Sequence, residues 1–403
     1  MVKLEKNYLN MKKEKKIKDL LTRGVEDAVD KKLLEKKLKY GEKLRVKLGV
    51  DPTGPKIHLG RASQFWKLKS FQQLGHQVVL IIGDFTAQIG DASDKQAMRT
   101  PLTKEEIDKN MEGYIEQIGK ILDMDKVELR YNSEWLGEMK IKELISIAMN
   151  FTAQQLIRRR NFKERWDEDK PIGLHELLYP LLQGYDSVAV EADVEIGGFD
   201  QLFNLKAGRK MQKLFDMEPQ QIMTSQMLYG LDGRKMSTSW GNVVTIVDEP
   251  ADMYGKIMSL NDELMIDYFK LCAFYSEKEL KKVKKEIKKD PKKAKMELAR
   301  KIVTIYHDEG KAQKAEERFK KIFEKGKAPE KMPEIEVNDD KMGLLDLVFA
   351  TGLVKSKSQA KRLIKQKAVS IDDRKMTDWQ EEIPLEDGMV IKIGKRRFAR
   401  VKK

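Results

Sequence analysis

The sequence predicts an α/β protein that begins with a doubly wound parallel sheet and continues into a helical region and a small α+β unit. Three observations support this fold class. A strand, a turn, a helix and a buried strand follow one another between Arg45 and Gly83. Strand-like runs disappear after about Pro250, where residues 251–326 show a lysine-rich helical pattern. Residues 341–403 then combine helices with short alternating strands.

The first strands and helices form a recognisable unit. Residues 11–40 mix aliphatic and charged side chains without proline and predict one or two amphipathic helices. Arg45–Val50 is a short strand-like run that must stop at Asp51-Pro52-Thr53-Gly54-Pro55, because proline cannot continue a regular strand. Residues 58–75 predict a helix, and Gln77–Gly83 has the unbroken apolar pattern of a strand buried on both faces. This βαβ unit implies a parallel, Rossmann-like sheet with right-handed crossovers.

The alternation of helices and strands continues through the first 245 residues. We predict helices over 104–122, 137–150, 174–188 and 198–214, and strands at Val127–Tyr131 and Ala189–Ala192. The predicted domains are a Rossmann-like domain with N-terminal helices over 1–245, an α-helical domain over 246–328, a proline-containing linker over 329–340 and a last compact unit over 341–403.

The composition fits a folded protein without disulfides. Hydrophobic residues make up 40% of the chain, which is enough for a packed core and argues against a disordered protein. The one cysteine, Cys272, excludes a disulfide framework and a cysteine-rich metal site, and it fits a reducing compartment. No apolar run approaches the roughly 20 residues of a membrane helix. We therefore expect a cytoplasmic protein that does not enter a membrane.

The positive charge is concentrated at one end of the chain. The formal net charge is +14, and +8 of it lies in residues 341–403. Residues 246–340 carry a net charge of only +1, because acidic side chains nearly cancel the lysines there. The excess suggests a polyanionic partner for the last unit, although net charge alone is weak support for that interpretation.

Two separated segments suit phosphate chemistry. The first, Asp51 to Arg61, lies between a strand and its helix, which is where doubly wound sheets bind phosphates. Within it, Gly60 permits close backbone approach, and His58 can donate to a phosphate or ribose oxygen. The second, Gly233 to Ser239, joins two adjacent cations to three hydroxyls and suits a pyrophosphate group as negative charge develops. Their order and contexts favour a nucleotide site over two unrelated surface loops.

These segments resemble the signatures of the class I aminoacyl-tRNA synthetases. Ile57-His58-Leu59-Gly60 is similar to the "HIGH" signature and Lys235-Met236-Ser237-Thr238-Ser239 to the "KMSKS" signature, with Arg61 and Thr238 replacing the usual His and Lys. The resemblance implies that ATP is bound by Asp51, His58, Gly60, Arg61, Asp200, Lys235, Met236, Ser237 and Ser239. It implies catalytic roles for His58, Lys235, Thr53, Lys95 and Arg99, the last two in a loop that closes on pyrophosphate.

A third segment indicates a pocket with a polar wall. Tyr179, Gln183 and Asp186 are spaced i, i+4 and i+7, so they share one face of a helix whose other positions are rich in leucine. Buried acceptors without partners cost about 1–3 kcal/mol each. A ligand with a phenol O–H and an ammonium group would satisfy them. The alternative, a polar face exposed to solvent, remains open at this point.

Together the three segments resemble the bacterial tyrosyl-tRNA synthetase family over nearly the whole chain. In that family Tyr179, Gln183 and Asp91 would hold the substrate ammonium, and Asp186 would bind the phenol. The same resemblance adds three further residues to the tyrosine-binding set. These are Asn132, Gln201 beside the substrate carboxyl group, and Lys47, which stands where many members have a tyrosine touching the phenol. Asp200 would contact the ribose of ATP.

The last unit resembles the S-four-type RNA-binding fold, named for a ribosomal protein. Lys357, Lys361 and Arg362 crowd one helix region, while Leu363 and Ile364 supply its buried side. In the family this unit binds tRNA, and several cation–phosphate contacts would make the binding salt-dependent. The resemblance implies that the α-helical domain over 246–328 binds tRNA as well. The alternative is a solvated basic surface with no partner.

The resemblance implies a two-step reaction. L-tyrosine attacks the α-phosphate of ATP, with Mg²⁺ carried by the ATP and no dedicated metal site on the protein. The resulting adenylate then passes its tyrosine to the 3′ end of tRNA(Tyr). A homodimer is implied as well. Two alternatives remain open, the tryptophan enzyme or another class member, and a catalytically degraded paralogue that binds RNA. Arg61 and Thr238 support the second alternative.

Overall fold

The computed structural model describes residues 13–92, 102–236, 240–324, 332–337, 339–354, 356–372, 374–394 and 397–403. Lys95, Arg99, Ser237 and Ser239 lie outside the described residues. The chain divides into two compact units between Glu309 and Gly310. The three-domain division with boundaries near 245 and 328 stays a prediction.

Unit 1 contains a sheet of six strands flanked by helices. The strands are β1 (Val25–Val29), β2 (Arg45–Val50), β3 (Gln77–Ile82), β4 (Val127–Tyr131), β5 (Val194–Gly198) and β6 (Gln221–Ser225). The helices up to β6 are α1 (Lys13–Thr22), α2 (Lys31–Tyr40), α3 (Leu59–Gln72), α4 (Lys104–Met111), α5 (Tyr114–Gly119), α6 (Ser133–Leu136), α7 (Ile141–Ala148), α8 (Ala153–Ile157), α9 (Arg160–Asp167), α10 (Leu174–Ala189) and α11 (Leu202–Leu214).

The strand order of this sheet is β1-β6-β5-β2-β3-β4. All neighbours are parallel except β1, which is antiparallel to β6. Positions 78–82 of β3 are fully buried, as expected for a strand covered by helices on both faces. The predicted doubly wound parallel sheet is confirmed.

The order of the strands reverses between β2 and β5. From β2 the chain crosses to β3 on one side, whereas from β5 it crosses to β6 on the other side. The two strands are paired in parallel through Val46 with Val194 and Lys47 with Glu195. A crevice opens at the carboxyl ends of such strands, and ligands of doubly wound sheets bind there.

Three predictions at the level of single elements were wrong or incomplete. Ala189–Ala192 is not a strand, because α10 extends to Ala189 and a left-handed Glu191 (φ 50°) turns the chain before β5. The buried charge of Glu195 and the glycines of β5 hid this strand from a search for apolar runs. β1 interrupts the helices predicted over 11–40. It was missed because the exposed acidic residues at its centre do not show the apolar pattern of a strand. β6 was not predicted.

Helices follow the sheet, as predicted for 251–326. They are α12 (Pro250–Met258), α13 (Met265–Leu271), α14 (Glu277–Lys289), α15 (Pro291–Tyr306) and α16 (Glu309–Glu324), which begins at the boundary between the units. No helix among the described residues is long and apolar enough to cross a membrane.

Unit 2 ends in a small α+β arrangement. Its elements are β7 (Glu334–Glu336), β8 (Lys341–Gly343), α17 (Leu344–Ala350), α18 (Lys357–Lys365), β9 (Val369–Ile371), β10 (Arg374–Met376), β11 (Glu382–Pro384), β12 (Val390–Ile393) and β13 (Arg397–Lys402). Five strands form a sheet in the order β10-β9-β12-β13-β7, and β8 pairs with β11. Leu347, Ile364 and Ile391 belong to the core that joins helices and strands. β7 lies within the segment predicted as a linker and pairs in parallel with β13.

Candidate active site

A cavity of about 500 Å³ opens at the point where the strand order reverses. Its wall unites predicted site residues from six separate segments of the sequence. The predicted site residues on this wall are Asp51, Thr53, His58, Gly60, Arg61, Asp91, Asn132, Tyr179, Gln183, Asp186, Asp200, Gln201, Lys235 and Met236. Lys47 does not line the cavity, and Lys95, Arg99, Ser237 and Ser239 lie outside the part of the chain that the structure describes.

His58 is placed by the start of α3. It is the N-cap residue, and its Nδ1 accepts a hydrogen bond from the backbone N–H of Arg61 at 3.2 Å. Burial, with Arg61 and Lys235 nearby, lowers the pKa of His58 to about 3, so the ring is neutral at physiological pH. Because Nδ1 accepts, the proton of the neutral ring lies on Nε2. His58 therefore offers an N–H donor at a helix N-terminus, where anions bind readily.

Arg61 and Asp51 hold the turn that leads into α3. The Arg61 guanidinium donates to the backbone oxygen of Asp51 at 2.9 Å and to the hydroxyl of Tyr114 at 3.1 Å. The Asp51 carboxylate accepts from Thr86 and from Tyr179, each at 2.8 Å. Arg61 thus stabilises the turn after β2, and it also lines the cavity.

The second cationic segment reaches the same cavity. Lys235 forms an ion pair with Asp200 at 2.9 Å, and Met236 lies against the start of α3. A Cβ at position 60 would lie 3.1 Å from the Met236 sulfur and 3.2 Å from the His58 ring, so glycine lets these segments approach. The two signature segments are therefore neighbours in space.

Asp186 is a buried carboxylate on the polar face of α10. It is 3% exposed, and its Oδ1 accepts from the indole N–H of Trp135 at 2.9 Å. Burial raises the pKa of Asp186 to about 7, and Glu195 adds to the rise, while Lys47 and hydrogen bonds from Trp135 and Asn132 oppose it. An additional donor, such as a phenol O–H, would stabilise the ionised form.

A chain of hydrogen bonds runs along the wall beside Asp186. Asp91 accepts from the amide of Gln201, and Asn204 donates to the side-chain oxygens of both Gln201 and Gln183 at 2.9 Å. Gln183 in turn donates to Glu195 at 3.3 Å. The polar wall predicted from the i, i+4, i+7 spacing is therefore a connected network, and the solvent-exposed alternative is wrong.

Asn204 and Glu195 were not predicted as site residues. Asn204 lies on α11 and is fully buried, and Glu195 lies on β5 with 1% exposure. A charged residue inside a strand next to Gly197-Gly198 was the available signal for Glu195. Nothing in the sequence separated Asn204 from an ordinary helix position, because its importance depends on the packing of α11 against α10.

The predicted RNA-binding residues lie on one helix of unit 2. Ser356 caps α18, and Ala360 and Ile364 form its buried side. Lys357 forms an ion pair with Asp346 at 2.6 Å, and the Lys361 ammonium lies 3.4 Å from the centroid of the Trp379 ring. Arg362 is exposed on the outer side of the helix.

Metal-ligand clusters are absent from the described ranges. No group of three or more His, Cys, Asp or Glu side chains in them could hold a metal ion. The carboxylates of the cavity are engaged instead with side-chain donors, as Asp51, Asp91 and Asp186 show.

Two family models cover most of the chain. The model described as "tRNA synthetases class I (W and Y)" matches residues 39–324. The model described as "Tyrosine--tRNA ligase SYY-like C-terminal domain" matches residues 323–401. The two matches meet within α16.

Curated relatives match over nearly their full length. A tyrosine–tRNA ligase of Moorella thermoacetica is 45% identical over 390 residues, covering 95% of this chain and 94% of the relative. A tyrosine–tRNA ligase of Thermotoga maritima is 44% identical over 395 residues, covering 97% of this chain and 98% of the relative.

Solved structures share the fold. A tyrosyl-tRNA synthetase from Archaeoglobus fulgidus complexed with L-tyrosine aligns with a TM-score of 0.61 and 21% identity, covering 76% of this chain and 100% of that one. A C-terminally truncated mitochondrial tyrosyl-tRNA synthetase from Aspergillus nidulans aligns with a TM-score of 0.63 and 20% identity, covering 80% of this chain and 100% of that one.

The raised pKa of Asp186 predicts a pH-dependent stability difference. The folded-state pKa of about 7 exceeds the ordinary value of 3.8, so the folded form holds a proton that the unfolded chain has lost. Stability from this group is therefore present at low pH and lost as pH rises through about 7. The free energy of unfolding of Asp186→Asn, measured relative to wild type, should therefore rise by roughly 2 kcal/mol from pH 5.5 to pH 8. Urea unfolding of both proteins at the two pH values measures this difference, and a constant difference would contradict it.

Proposed function

The chain belongs to the class I tRNA synthetases and, within them, to the tyrosine–tRNA ligases, and we propose from this premise how its residues divide the reaction. The enzyme activates L-tyrosine with ATP to tyrosyl-adenylate and pyrophosphate, then transfers tyrosine to the 3′ end of tRNA(Tyr). We place it in the cytoplasm, where translation uses the charged tRNA that it forms.

The observation that carries the proposal is the shared wall of one cavity. A buried carboxylate, Asp186, and the acceptor groups of α10 lie on the same cavity as the His58 donor and the Lys235 cation. The first set suits an amino acid with a hydroxyl at its far end. The second set suits a polyphosphate. A site for both substrates at once is what adenylate formation requires.

We assign the tyrosine ammonium to three acceptors. Tyr179 donates its own proton to Asp51, so the lone pairs of its oxygen remain available to accept. The oxygen of Gln183 and the carboxylate of Asp91 are the other two acceptors, oriented by Asn204 and Gln201. The phenol O–H would donate to Asp186. Phenylalanine is disfavoured because it would leave this buried acceptor without its donor.

Activation needs positioning and charge stabilisation by the protein. The tyrosine carboxylate oxygen forms a bond to the α-phosphorus of ATP while the bond from that phosphorus to the pyrophosphate oxygen breaks. His58 would donate from Nε2, and Lys235 would approach the departing negative charge. Asp200 would bind the ribose, and Thr53, Gly60, Arg61 and Met236 would shape the nucleotide pocket. Roles for Lys95, Arg99, Ser237 and Ser239 stay predictions.

Mg²⁺ would enter with ATP. The described residues offer no donor set for a metal ion of their own, so the cation would be held by phosphate oxygens and would neutralise part of their charge.

Unit 2 would bind tRNA through α18. Arg362 is exposed on the outer side of this helix, whose opposite side is buried. The neighbouring Lys357 and Lys361 add positive charge, although Lys357 is paired with Asp346 and Lys361 lies over Trp379. The +8 net charge of residues 341–403 supports a polyanionic partner.

We propose that the enzyme is a homodimer formed through α7. Ile141, Ile145 and Met149 are exposed by 78%, 54% and 82%, and their spacing places them on one helix face. Three large apolar side chains side by side on a surface indicate an interaction site. A second copy can cover such a stripe with the same stripe, as two-fold interfaces do.

The activation step predicts tyrosine-dependent exchange of labelled pyrophosphate into ATP. Wild type should catalyse it with tyrosine and not with tryptophan. Asp186→Ala should lower the selectivity for tyrosine over phenylalanine about tenfold or more, because the phenol loses its acceptor. Asp125→Ala, an exposed aspartate outside the cavity, is the control and should keep wild-type selectivity. Exchange with tryptophan alone would favour the tryptophan enzyme, and no exchange at all would favour the RNA-binding paralogue.

The tRNA assignment predicts a separation of the two reaction steps. Lys361→Ala with Arg362→Ala should raise the KM for tRNA and lower the slope of log affinity against log salt by about two, with pyrophosphate exchange unchanged. Lys281→Ala with Lys282→Ala removes the same charge from exposed positions of α14. If this control weakens tRNA binding equally, the contact with tRNA is not specific to α18.

The dimer assignment predicts a change of mass on one substitution. In sedimentation velocity, wild type should behave as two chains and Ile145→Asp as one, because a buried unpaired carboxylate opposes association. Tyr40→Asp alters an aromatic side chain that is 75% exposed on α2, and it should leave the dimer intact. A wild-type monomer would refute the assignment.

A further inference from the structure

Lys47 and Glu195 form an ion pair behind the cavity wall. Their side chains are 0% and 1% exposed, and the ammonium lies 3.0 Å from Oε1 of the carboxylate. They are register partners on β2 and β5, the two strands between which the strand order reverses. Burying two charges carries a large desolvation penalty, so this pair calls for a reason beyond stability.

Four donors converge on the Glu195 carboxylate. Lys47 and the Gln183 amide donate to Oε1 at 3.0 and 3.3 Å. Ser187 donates to Oε2 at 3.2 Å, and the Gln220 amide donates to the same oxygen. A carboxylate that only accepts hydrogen bonds suits these four donors, and the Lys47 ammonium supplies the opposite charge.

The pair holds Gln183 at two points. Its side-chain nitrogen is bound by Glu195, and its backbone oxygen accepts from the Lys47 ammonium at 3.2 Å. Because Glu195 takes the NH₂ group, the amide oxygen of Gln183 must point the other way, towards Asn204. Without an acceptor at position 195, this orientation of the Gln183 amide would depend on the hydrogen bond from Asn204.

We propose that the Lys47–Glu195 ion pair is a positioning element for tyrosine, which fixes Gln183 as an acceptor for the substrate ammonium. Lys47 then acts through Gln183 and makes no contact with the phenol. From Gln183 the same constraint passes through Asn204 and Gln201 to Asp91. This inference rests on the proposed tyrosine activation and adds the device that orients its amino-acid pocket.

Paired substitutions separate positioning from stability. Replacing both members of a buried ion pair by apolar residues is often neutral or stabilising, whereas removing one member leaves an uncompensated charge. The double variant Lys47→Met with Glu195→Met, called the Met/Met variant, therefore keeps the interior neutral but removes the acceptor for Gln183. The double variant Lys47→Met with Glu195→Gln, called the Met/Gln variant, is also neutral and retains one carbonyl oxygen that can accept from Gln183.

The expected result is a selective loss of tyrosine binding. In pyrophosphate exchange, the Met/Met variant should raise the KM for tyrosine about tenfold or more, with the KM for ATP nearly unchanged. The Met/Gln variant should recover most of this rise, because the acceptor is restored. A purely structural role would instead lower the melting temperature and leave both KM values unchanged or move them together. Either of those kinetic patterns in the Met/Met variant overturns the proposal.

A second buried ion pair supplies the matched control. Arg165 and Glu176 are 1% and 0% exposed, lie 2.8 Å apart and do not line the cavity, although Glu176 is on the same helix as Gln183. Arg165→Met with Glu176→Met should leave the KM for tyrosine unchanged. An equal rise in this control would show that loss of any buried ion pair in contact with α10 has the same effect, and would overturn the proposal. Wild type without tyrosine-dependent exchange would refute the proposed function itself, which distinguishes the two failures.

If the Met/Met variant does not fold, the Met/Gln variant decides, since it tests the loss of charge alone. A KM for tyrosine within about threefold of wild type then supports positioning by the acceptor, and a larger rise overturns it.

Discussion

The parallel pairing of β2 with β5 is the constraint on which the site depends. It brings together two chain segments separated by more than a hundred residues and places the Lys47–Glu195 ion pair in the interior of the sheet. The turn after β2 carries Asp51 and leads to His58, and the turn after β5 carries Asp200 and Gln201. Because both strands end at the same edge, the residues proposed to bind the nucleotide and those proposed to bind the amino acid line one cavity. Reversal of the strand order there leaves space that a continuous series of crossovers would fill.

The site concentrates interactions that are unfavourable for folding. Asp186 is held away from water, and burial works against its ionised form. The neighbouring Lys47–Glu195 pair bears a desolvation penalty of its own. Such groups persist where function selects for them, since catalysis and stability often require opposite environments. A carboxylate with too few donors is a poor structural element and a good partner for a substrate hydroxyl.

The sequence predicted the elements whose signals are local. The unbroken apolar run of β3 and the helix after Asp51-Pro52 were confirmed, as was the shared face of Tyr179, Gln183 and Asp186. Elements defined by tertiary contacts were not found in the same way. β5 carries a charge that is buried only because Lys47 lies opposite, and β1 is recognisable as a strand only once β6 is beside it. Asn204 owes its place in the site to the packing of α11 on α10. There, a Cβ at Gly184 would lie 3.2 Å from the carbonyl carbon of Ala207.

The ion pair between Lys235 and Asp200 joins two residues that are both proposed to bind ATP. They lie 2.9 Å apart, with side chains that are 37% and 24% exposed. Partly exposed pairs of this kind contribute about 0–1 kcal/mol. Replacing this contact by a ribose hydroxyl on Asp200 and a phosphate on Lys235 therefore costs little free energy, and each new contact is charge-assisted. The pair thus keeps the cation at the cavity without opposing ATP. The buried Lys47–Glu195 pair differs, because no ligand group can replace it. One ion pair can be exchanged for substrate and the other cannot, and this difference follows from their exposure to water.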